Sequence, residues 1–377
     1  MLSKKELLRY HRHLIIPEFG KVGQEKLKQA KVLVIGSGGL GAPMLQYLAA
    51  AGVGTIGIVD FDVIEDSNLQ RQVLFTTADI GRPKAEVAKD RLLAQNPYIN
   101  VIVHNTYIDS SNALDIIKDY DLVADGTDNF PTRYLVNDAC VILGKTNVYA
   151  SIFRFEGQAS VFNELLPDGT RGPNFRDLFP TPPPPGLVPS CAEGGVIGVL
   201  PGILGSIQAN EVIKVISGVG DTLCGRLFIF DAADFSTRVL NIKKNEKSPA
   251  ITELIDYKMF CGIPNGKVVN DKVQEISVEQ LKAWLDERRD IQIIDVREPA
   301  EYELVNINAE LIPKSEFEKH VDKIRKDAEV VLHCRSGIRS ADVIEVLQDR
   351  YGYTNLYNLE GGILAWADKI DTSMITY

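Results

Sequence analysis

A glycine-rich turn between two apolar segments constrains the fold of this chain most strongly. Residues 32–35, VLVI, form a short apolar run bounded by glycine, which predicts a buried parallel strand. Three glycines follow in a G-x-G-x-x-G spacing: Gly36, Gly38 and Gly41. Residues 42–51 are small and apolar and lack β-branched side chains, which favours a helix packed on a sheet. The stretch therefore predicts the start of a nucleotide-binding βαβ unit.

The second strand of this unit adds acidic residues. Residues 55–59, TIGIV, predict a strand that leads to Asp60 and Asp62. The glycine turn lets phosphates approach backbone N–H groups at a helix N-terminus, and the acidic residues lie where a ribose hydroxyl is read. The pattern predicts a bound nucleotide, but the glycines alone do not distinguish which nucleotide or which reaction.

A polar segment and a lysine follow. The segment SNLQRQ, residues 67–72, would be a surface loop in isolation. Beside a phosphate-binding turn, Asn68 and Arg71 become candidates to hold a triphosphate, because an arginine fork fits phosphate oxygens. Lys84 begins the next predicted helix, and it is either a surface lysine or a second cation on the phosphates.

An acidic cluster follows a later strand. The sequence DGTDN contains Asp125, Asp128 and Asn129 directly after the predicted strand 121–124. Ligands of doubly wound sheets bind beyond the carboxyl ends of the strands, and carboxylate oxygens suit magnesium. These residues are therefore expected to meet the nucleotide or its magnesium ion, and an aspartate-rich helix cap is the alternative.

Length, charge and cysteine content limit the class of protein. A chain of 377 residues is long enough for two domains, and its net charge of −10 argues against a nucleic-acid or membrane-surface binder. The first residues lack the apolar core of a secretory signal, and residues 194–216 contain proline and charges that make a poor membrane span. The five cysteines form no C-x-x-C pair, which favours reduced thiols and a cytoplasmic location.

A proline- and glycine-rich stretch, residues 163–190, predicts a long loop. It ends at Cys191, just before an apolar helical segment. A thiol near a helix start at the end of such a loop has the setting of a reactive thiolate. A buried, inert cysteine is the alternative.

The last third of the chain has a separate pattern. Residues 246–271 contain several prolines and glycines and are interpreted as a linker, which divides the chain into domains at residues 1–245 and 272–377. In the second domain the predicted strand EVVLHC runs directly into CRSGIRS and a helix. Cys334 therefore begins a tight loop between a strand end and a helix N-terminus.

The Cys334 loop suits an anion on sulfur. Backbone N–H groups of residues 335–340 would point at whatever lies on Cys334, and Arg335 and Arg339 would add positive charge. The loop is shorter than the phosphate-binding loop of phosphatases, so a thiolate or persulfide fits it better than a phosphate. A buried cysteine at a strand end is the alternative.

These motifs resemble two known families, in order along the chain. Roughly residues 5–245 resemble the MoeB/ThiF family of adenylyltransferases, relatives of ubiquitin-activating enzymes, through RYHRHLIIPEFG, VLVIGSGGLG, DFDVIEDSNLQRQ, DGTDNFPTRYLVNDAC, FRFEGQ and SCAEGGVIGVLPGILGSIQANEVIK. DVREPAEY, CRSGIRS and GGILAWA resemble a rhodanese domain over about residues 273–374. The resemblance implies a Rossmann-like, doubly wound, mostly parallel α/β sheet followed by a smaller α/β rhodanese domain.

The resemblance implies that the first domain binds ATP and Mg²⁺, the latter near Asp128. It implies that the enzyme adenylates the C-terminal Gly-Gly carboxylate of a ubiquitin-like sulfur carrier of the MoaD/ThiS kind. Together with the patterns above, the expected nucleotide contacts are Gly36, Gly38, Gly39, Gly41, Asp60, Asp62, Ser67, Asn68, Leu69, Gln70, Arg71, Lys84, Asp128 and Asn129.

The resemblance further implies a sulfur-transfer step. Cys334 would carry a persulfide supplied by a cysteine desulfurase or thiosulfate, and Cys191 matches the family's thioester- or disulfide-forming cysteine. The persulfide loop would comprise Arg335, Ser336, Gly337, Ile338, Arg339 and Ser340. The product would be a carrier thiocarboxylate for molybdopterin, thiamine or a related sulfur pathway.

Arg12 belongs to a basic cluster near the N-terminus, which on local pattern alone is a solvated helix face. The resemblance gives it another role, because an arginine at this place in relatives reaches into the partner subunit's ATP site. It therefore implies a homodimer in which Arg12 is catalytic.

One departure from the family concerns zinc. Relatives usually hold a structural zinc with two C-x-x-C pairs, whereas this chain has Asn174, Asp177, Ser248 and Ile251 at the corresponding places. These side chains do not replace four thiolates. No structural zinc is expected.

Two other functions remain open on the sequence. An NAD-dependent oxidoreductase fused to a rhodanese is compatible with the glycine turn, although Arg71, Lys84 and DGTDN have no evident role in hydride transfer. A non-catalytic scaffold that docks a carrier is the other, and the Cys334 loop argues against it.

Overall fold

The computed structural model describes residues 1–184, 194–262 and 273–376. The chain divides into two compact units, Met1–Asn265 and Gly266–Tyr377. Residues 246–262, which lie in the predicted linker, belong to the first unit. Ser110 Oγ donates a hydrogen bond to the carbonyl of Ile255 at 2.7 Å, and the Tyr257 hydroxyl donates to Asp138 at 2.8 Å.

The first unit is built on one eight-stranded sheet. Its strands are β1 (Lys31–Ile35), β2 (Thr55–Val59), β3 (Asn100–His104), β4 (Leu122–Asp125), β5 (Thr146–Phe153), β6 (Glu156–Phe162), β7 (Arg226–Asp231) and β8 (Ser236–Asn241). Their order is β3-β2-β1-β4-β5-β6-β7-β8. The strands from β3 to β5 pair in parallel, and β5 to β8 pair antiparallel. The mostly parallel sheet expected from the sequence is thus confirmed.

Helices and short 3₁₀ turns surround this sheet. The helices are α1 (Lys4–Arg9), α2 (His11–Leu14), α3 (Gly20–Gln29), α4 (Gly41–Ala51), α5 (Lys84–Gln95), α6 (Ala113–Ile117), α7 (Phe130–Ile142), α8 (Phe175–Leu178), α9 (Val199–Ser217) and α10 (Tyr257–Phe260). The 3₁₀ turns are Asp66–Asn68 and Thr77–Asp79.

β1 shows why helices cover both faces. Successive side chains of a strand point to opposite sides. Val32 and Val34 join a buried core with α4 and α5, whereas Leu33 and Ile35 join a second core with α6 and α7. A short, fully apolar strand therefore supplies both layers of the doubly wound fold.

The glycine turn brings α4 close to the end of β1. A Cβ atom on Gly41 would lie 1.9 Å from the carbonyl oxygen of Gly36, so no side chain fits at this position. Gly36 itself has φ +88°, a conformation that glycine adopts readily. These two glycines fix the path of the chain from strand to helix.

α9 is the one helix within the described residues that is long and apolar enough to cross a membrane. Its contacts with β5, β6, α3 and α4 are those of a helix that covers a sheet. Gln208 on this helix donates to the carbonyl of Asp125 at 2.7 Å, which ties α9 to the end of β4.

The second unit is a smaller parallel α/β layer structure. Its strands are β9 (Gln274–Ile276), β10 (Ile291–Asp295), β11 (Glu310–Leu311), β12 (Glu329–His333) and β13 (Leu356–Leu359), in the order β11-β10-β12-β13-β9. Its helices are α11 (Val278–Asp286), α12 (Pro299–Leu304), α13 (Ile338–Tyr351) and α14 (Gly362–Lys369), with a 3₁₀ segment Phe317–Lys323. All of its strand pairs are parallel. β12 is central and delivers Cys334 at its carboxyl end.

Candidate nucleotide and cysteine sites

The carboxyl ends of β1, β2 and β4 meet at one edge of the first unit. β1 pairs with β2 on one side and with β4 on the other. Strands β2 and β3 are therefore added on one side of β1, and β4 and the later strands on the other side. This is the switch point at which open α/β sheets bind ligands. The residues that follow the three strands are Gly36, Asp60 and Gly126.

A cavity of about 940 Å³, including the space open to solvent, lies at this edge. The predicted residues that line it are Gly36, Gly38, Gly39, Asp60, Asp62, Arg71, Lys84, Asp128 and Asn129. Segments that are far apart in sequence therefore form one wall.

Five predicted contacts do not line this cavity: Gly41, Ser67, Asn68, Leu69 and Gln70. Asn68 is buried, and its Oδ1 accepts a hydrogen bond from the backbone N–H of Glu65 at 3.3 Å. It therefore closes the 3₁₀ turn Asp66–Asn68. Arg71 donates to the carbonyl of Ser67 at 3.1 Å, which orders the turn that presents its guanidinium to the cavity.

Asp60 holds the glycine turn in place. One of its carboxylate oxygens accepts from the backbone N–H of Ser37 at 2.8 Å and from the Ser37 hydroxyl at 2.7 Å. The other accepts from the backbone N–H of Asp62 at 3.0 Å. The side chain expected to read a ribose thus also connects the end of β2 to the turn after β1.

Lys84 begins α5 and points to the cavity edge. Its ammonium lies 2.9 Å from Asp62, and its backbone N–H donates to the Asp62 carbonyl at 2.9 Å. Lys84 is only 6% exposed, whereas the Asp62 side chain is half exposed. Because the Asp62 side of this ion pair is exposed to solvent, an incoming phosphate can compete with Asp62 for the buried Lys84 ammonium.

Asp128 and Asn129 behave differently although they are adjacent. Asn129 caps α7, and its Oδ1 accepts from the backbone N–H of Thr132 at 3.0 Å. The Asp128 carboxylate lines the cavity and makes no hydrogen bond within the described residues. The alternative of a helix cap therefore applies to Asn129. The carboxylate oxygens of Asp128 face the cavity and fit a magnesium ion that is bound together with phosphates.

Asp125, which the sequence grouped with Asp128 and Asn129, does not line the cavity. It is 1% exposed, and its Oδ1 accepts from the backbone N–H and hydroxyl of Thr127 at 2.9 and 2.6 Å. Burial raises the pKa of Asp125 above its ordinary value. Because β4 continues through Asp125, its side chain packs under the cavity, not in its lining.

Arg133 is a cavity residue that the sequence motifs did not identify. It is 6% exposed, donates to the Thr127 carbonyl at 3.1 Å, and lies over the Phe130 and Tyr149 rings. Its Nε is buried without a hydrogen-bond partner in the part of the chain described. The only signal in the sequence was its place four residues after Asn129, one helical turn into α7.

The remaining predicted residues of the first unit lie outside the cavity. Arg12 is exposed on the short helix α2. Cys191 falls outside the described residues. Two of the four positions that stand where relatives have zinc-binding cysteines form hydrogen bonds: Asn174 caps α8, and Asp177 accepts from the backbone N–H groups of Asn174 at 2.7 Å and Asn245 at 2.9 Å.

In the second unit, Cys334 begins the loop between β12 and α13. Its side chain is buried, and its sulfur accepts a hydrogen bond from the backbone N–H of Gly337 at 3.2 Å. Gly337 has φ +92° and precedes the first residue of α13. The helix N-terminus thus supplies a backbone donor to the sulfur, which favours an anion there.

Charged side chains brace this loop. Arg339 forms a two-pronged ion pair with Glu301 on α12, with both N–O distances at 2.7 Å. The fully buried Arg297 pairs with Asp295 at the end of β10 at 2.6 Å. Burial lowers the pKa of His333, the residue before Cys334, so a neutral imidazole is favoured there.

Comparison with known proteins agrees with this architecture. Residues 10–250 match the model of the ThiF family, and residues 277–369 match that of the rhodanese-like domain. The chain belongs to the ThiF family and carries a C-terminal rhodanese-like domain. The fold class and the family expected from the sequence are therefore confirmed.

Two curated relatives and one solved structure are similar to the chain. A probable adenylyltransferase/sulfurtransferase MoeZ of Mycobacterium tuberculosis is 52% identical over 100% of this chain and 96% of its own length. A sulfur carrier protein adenylyltransferase of Thermus thermophilus is 53% identical over 69% of this chain and 98% of its own length. A crystal structure of E. coli MccB with MccA-N7isoASN has a TM-score of 0.57 at 22% identity, covering 67% of this chain and 76% of that one, and supports the fold alone.

Proposed function

We propose that this protein is an adenylyltransferase and sulfurtransferase. It uses ATP to adenylate the C-terminal Gly-Gly carboxylate of a ubiquitin-like sulfur carrier, and it then transfers sulfur from a persulfide on Cys334. The observation that carries the proposal is the presence in one chain of a cavity at the glycine turn, lined by Arg71, Lys84 and Asp128, and a cysteine loop with a backbone donor to sulfur. The full-length similarity to a relative named for both activities supports it.

The first reaction makes a carboxylate reactive. A carboxylate oxygen of the carrier attacks the α-phosphorus of ATP, the bond to the β-phosphate oxygen breaks, and pyrophosphate leaves. Lys84, Arg71 and a magnesium ion at Asp128 would stabilise the charge that develops on pyrophosphate. The glycine turn would bring backbone N–H groups to the phosphates.

The second reaction exchanges oxygen for sulfur. A sulfur donor such as thiosulfate gives its outer sulfur to the Cys334 thiolate and leaves as sulfite. The terminal persulfide sulfur then attacks the acyl carbon of the adenylate and displaces AMP, which leaves an acyl disulfide on Cys334. The Gly337 N–H that faces the Cys334 sulfur favours the anionic state from which the loop begins this sequence.

A second thiol is needed to release the product. If the Cys191 thiolate attacks the Cys334 sulfur, the bond between the two sulfurs of the acyl disulfide breaks, and the carrier thiocarboxylate leaves. A disulfide between Cys191 and Cys334 remains and must be reduced by a cellular thiol. We assign this step to Cys191 because it lies within the ThiF-family match, at the position that resembles the family's thioester- or disulfide-forming cysteine.

The active form that we propose is a homodimer. Arg12 is exposed on α2 and does not line the cavity of its own chain, which suits an arginine that serves the ATP site of the partner subunit. A guanidinium supplied in this way would add a further cation beside pyrophosphate.

We propose that the first unit needs no structural zinc. Asp177 bridges Asn174 and Asn245, so hydrogen bonds join the two segments that the resemblance predicts a metal would join. A second link is the Asp138 carboxylate, which accepts from Arg176 at 2.9 and 2.7 Å and from Tyr257 at 2.8 Å. Ser248 and Ile251 add no ligand set.

The cellular setting follows from the chemistry. A persulfide cycle requires thiols that can be kept reduced, and Cys140, Cys224, Cys261 and Cys334 are free cysteines. We therefore place the protein in the cytoplasm, with a cysteine desulfurase or thiosulfate as donor and molybdopterin, thiamine or a related sulfur compound as the pathway's product. The domain division at residues 1–245 and 272–377 stays a prediction.

Pyrophosphate exchange tests the first step. The full chain, ATP, magnesium and radiolabelled pyrophosphate are incubated with a purified ubiquitin-like carrier that ends in Gly-Gly. Label is expected to enter ATP only with the intact carrier, and a carrier that lacks its last glycine is the control. Exchange without carrier, or binding of NAD in place of ATP, would contradict adenylation.

A further inference from the structure

One amide side chain holds the end of the Cys334 loop. Asn358 lies on β13, opposite Leu332 of β12 in the parallel pairing, so it lies beside the strand that delivers Cys334. It is 3% exposed. A buried amide that is fully hydrogen-bonded rigidifies what it touches, and this one touches the loop.

The hydrogen bonds of Asn358 join three elements. Its Nδ2 donates to the carbonyl of Gly337 at 3.0 Å and to the Glu275 carboxylate on β9 at 3.0 and 3.1 Å. Its Oδ1 accepts from the Ser340 hydroxyl at 2.6 Å. The two ends of the amide thus bind the last turn of the loop, and Glu275 fixes the amide from the opposite side.

Gly337 is the residue on which this arrangement acts. Its N–H donates to the Cys334 sulfur and its carbonyl is held by Asn358, so both sides of the residue are oriented. At the other end of the loop, the carbonyl of Cys334 accepts from the backbone N–H of Ile363 at 2.9 Å. At the Gly337 end, the carbonyl accepts the helical hydrogen bond from the backbone N–H of Ala341 at 3.2 Å and one from the Ser340 hydroxyl at 3.2 Å, and Asn358 adds the shortest of the three.

We propose that Asn358 is a positioning residue for the Cys334 anion. By holding the Gly337 carbonyl it keeps the Gly337 N–H aimed at the sulfur, which favours the thiolate and the persulfide over their protonated forms. The inference rests on the proposed role of Cys334 as sulfur carrier. Glu275 and Ser340 complete the clamp and do not contact substrate in this account.

The test measures the alkylation of Cys334 by iodoacetamide as a function of pH in the full chain, with the modified peptide identified by mass. Asn358→Ala should move the midpoint of this profile to higher pH and lower the rate of sulfur transfer from thiosulfate to cyanide by about tenfold, because the Gly337 N–H is no longer held towards the sulfur and its charge-assisted hydrogen bond weakens. Arg335, Arg339 and Glu301 are unchanged in this variant, so the shift reports the backbone donor.

Asn355→Ala is the matched control. Asn355 also uses its Nδ2 to hold backbone carbonyls, those of Arg325 and Ala328, but at the other end of β13. It should destabilise the second unit without moving the Cys334 profile. An equal shift in both variants would show that Asn358 acts only through stability and would overturn the proposal.

Two further variants keep the test decisive if Asn358→Ala does not fold. Asn358→Asp keeps the size of the side chain but removes the donor to Gly337, and it should shift the profile in the same direction. Glu275→Ala, at an exposed position, removes the opposite anchor and should give a smaller shift. An unchanged profile in the folded variants overturns the positioning role.

The wild-type chain separates this inference from the proposed function. One outcome is that thiosulfate leaves a persulfide on wild-type Cys334 while the Asn358 variants keep the wild-type alkylation profile and sulfur-transfer rate. In that case only the positioning role of Asn358 is wrong. If the wild-type chain forms no persulfide on Cys334, the proposed sulfur-transfer function itself fails.

Discussion

The nucleotide cavity and the Cys334 loop both begin where a parallel strand meets a helix, but they treat negative charge differently. The cavity presents side-chain cations, Lys84 and Arg71, next to the carboxylate of Asp128. The loop encloses one sulfur with a backbone N–H, and its Arg339 is neutralised by Glu301. A leaving pyrophosphate carries several charges and needs cations and a metal, whereas a single sulfur anion needs one well-placed donor.

The largest expected effect separates the two sites. Cys334→Ala should lower transfer of sulfur to the carrier by more than about 10³-fold and leave pyrophosphate exchange unchanged, because the nucleophile is lost and the cavity is intact. Thiocarboxylate mass measurement and exchange assays check this. Cys224→Ala is the control, since burial raises the pKa of Cys224 to about 11 and so disfavours its thiolate.

The converse change acts on the cavity. Lys84→Met should lower pyrophosphate exchange by about 10²- to 10³-fold, because one preorganised cation at the phosphates is removed. Transfer of sulfur from thiosulfate to cyanide should be unaffected. Lys89→Met, on the same helix but outside the cavity lining, should leave both activities near wild type. A parallel loss of both activities in Lys84→Met would contradict the separation.

Arg12 tests whether the cavity is completed by a second chain. Arg12→Ala should lower pyrophosphate exchange by about tenfold or more, and Arg9→Ala should not. Mixing Arg12→Ala with Lys84→Met should restore exchange, because a hybrid dimer contains one cavity with both cations. Sedimentation should show dimers. If mixed dimers form and stay inactive, Arg12 does not act across the interface.

The smallest effect concerns Asp79, whose carboxylate pairs with Arg82 and with Arg91 of α5, the helix that Lys84 begins. Burial of Asp79 opposes its ionisation, but hydrogen bonds from Arg91 and Thr76 outweigh this and lower the pKa of Asp79 to about 2. A lowered pKa stabilises the folded state above the ordinary value near 3.8, and that stabilisation is lost as pH falls towards 2.

Asp79→Asn should therefore cost the first unit on the order of 1 kcal/mol at neutral pH after allowance for solvent screening. The difference from wild type should shrink as the pH falls from about 4 towards 2. Urea unfolding of the full chain, followed through the first unit, measures it. A difference that does not change over this range would show that the Asp79 charge is not responsible.

The sequence predicted what depends on local pattern. Short apolar runs, glycines and a helix start predicted the βαβ unit, the Cys334 loop and the α/β fold class of each part of the chain. Each of these signals lies within a few dozen residues. Asn68 and Asn129 were grouped as expected phosphate contacts because they lie in the same motifs. The side chains of both form local hydrogen bonds, and of the two Asn129 lines the cavity.

What the sequence did not predict depends on contacts across the fold. Arg133 lies in the cavity because Tyr149, from the next strand, packs on it. The pairing of Arg339 with Glu301 joins residues 38 positions apart. Asn358 holds Gly337 only because β13 pairs with β12. No periodicity or spacing in the chain encodes these neighbours.

The central claim is that the two sites act in series on one carrier. The most direct measurement is the intact mass of a Gly-Gly carrier after incubation with the full chain, ATP, magnesium and thiosulfate. We predict the mass of a thiocarboxylate, in which one carboxylate oxygen is replaced by sulfur, only when ATP and thiosulfate are both present and Cys334 is intact. A carrier that gains sulfur without ATP, or with Cys334→Ala, would contradict the account.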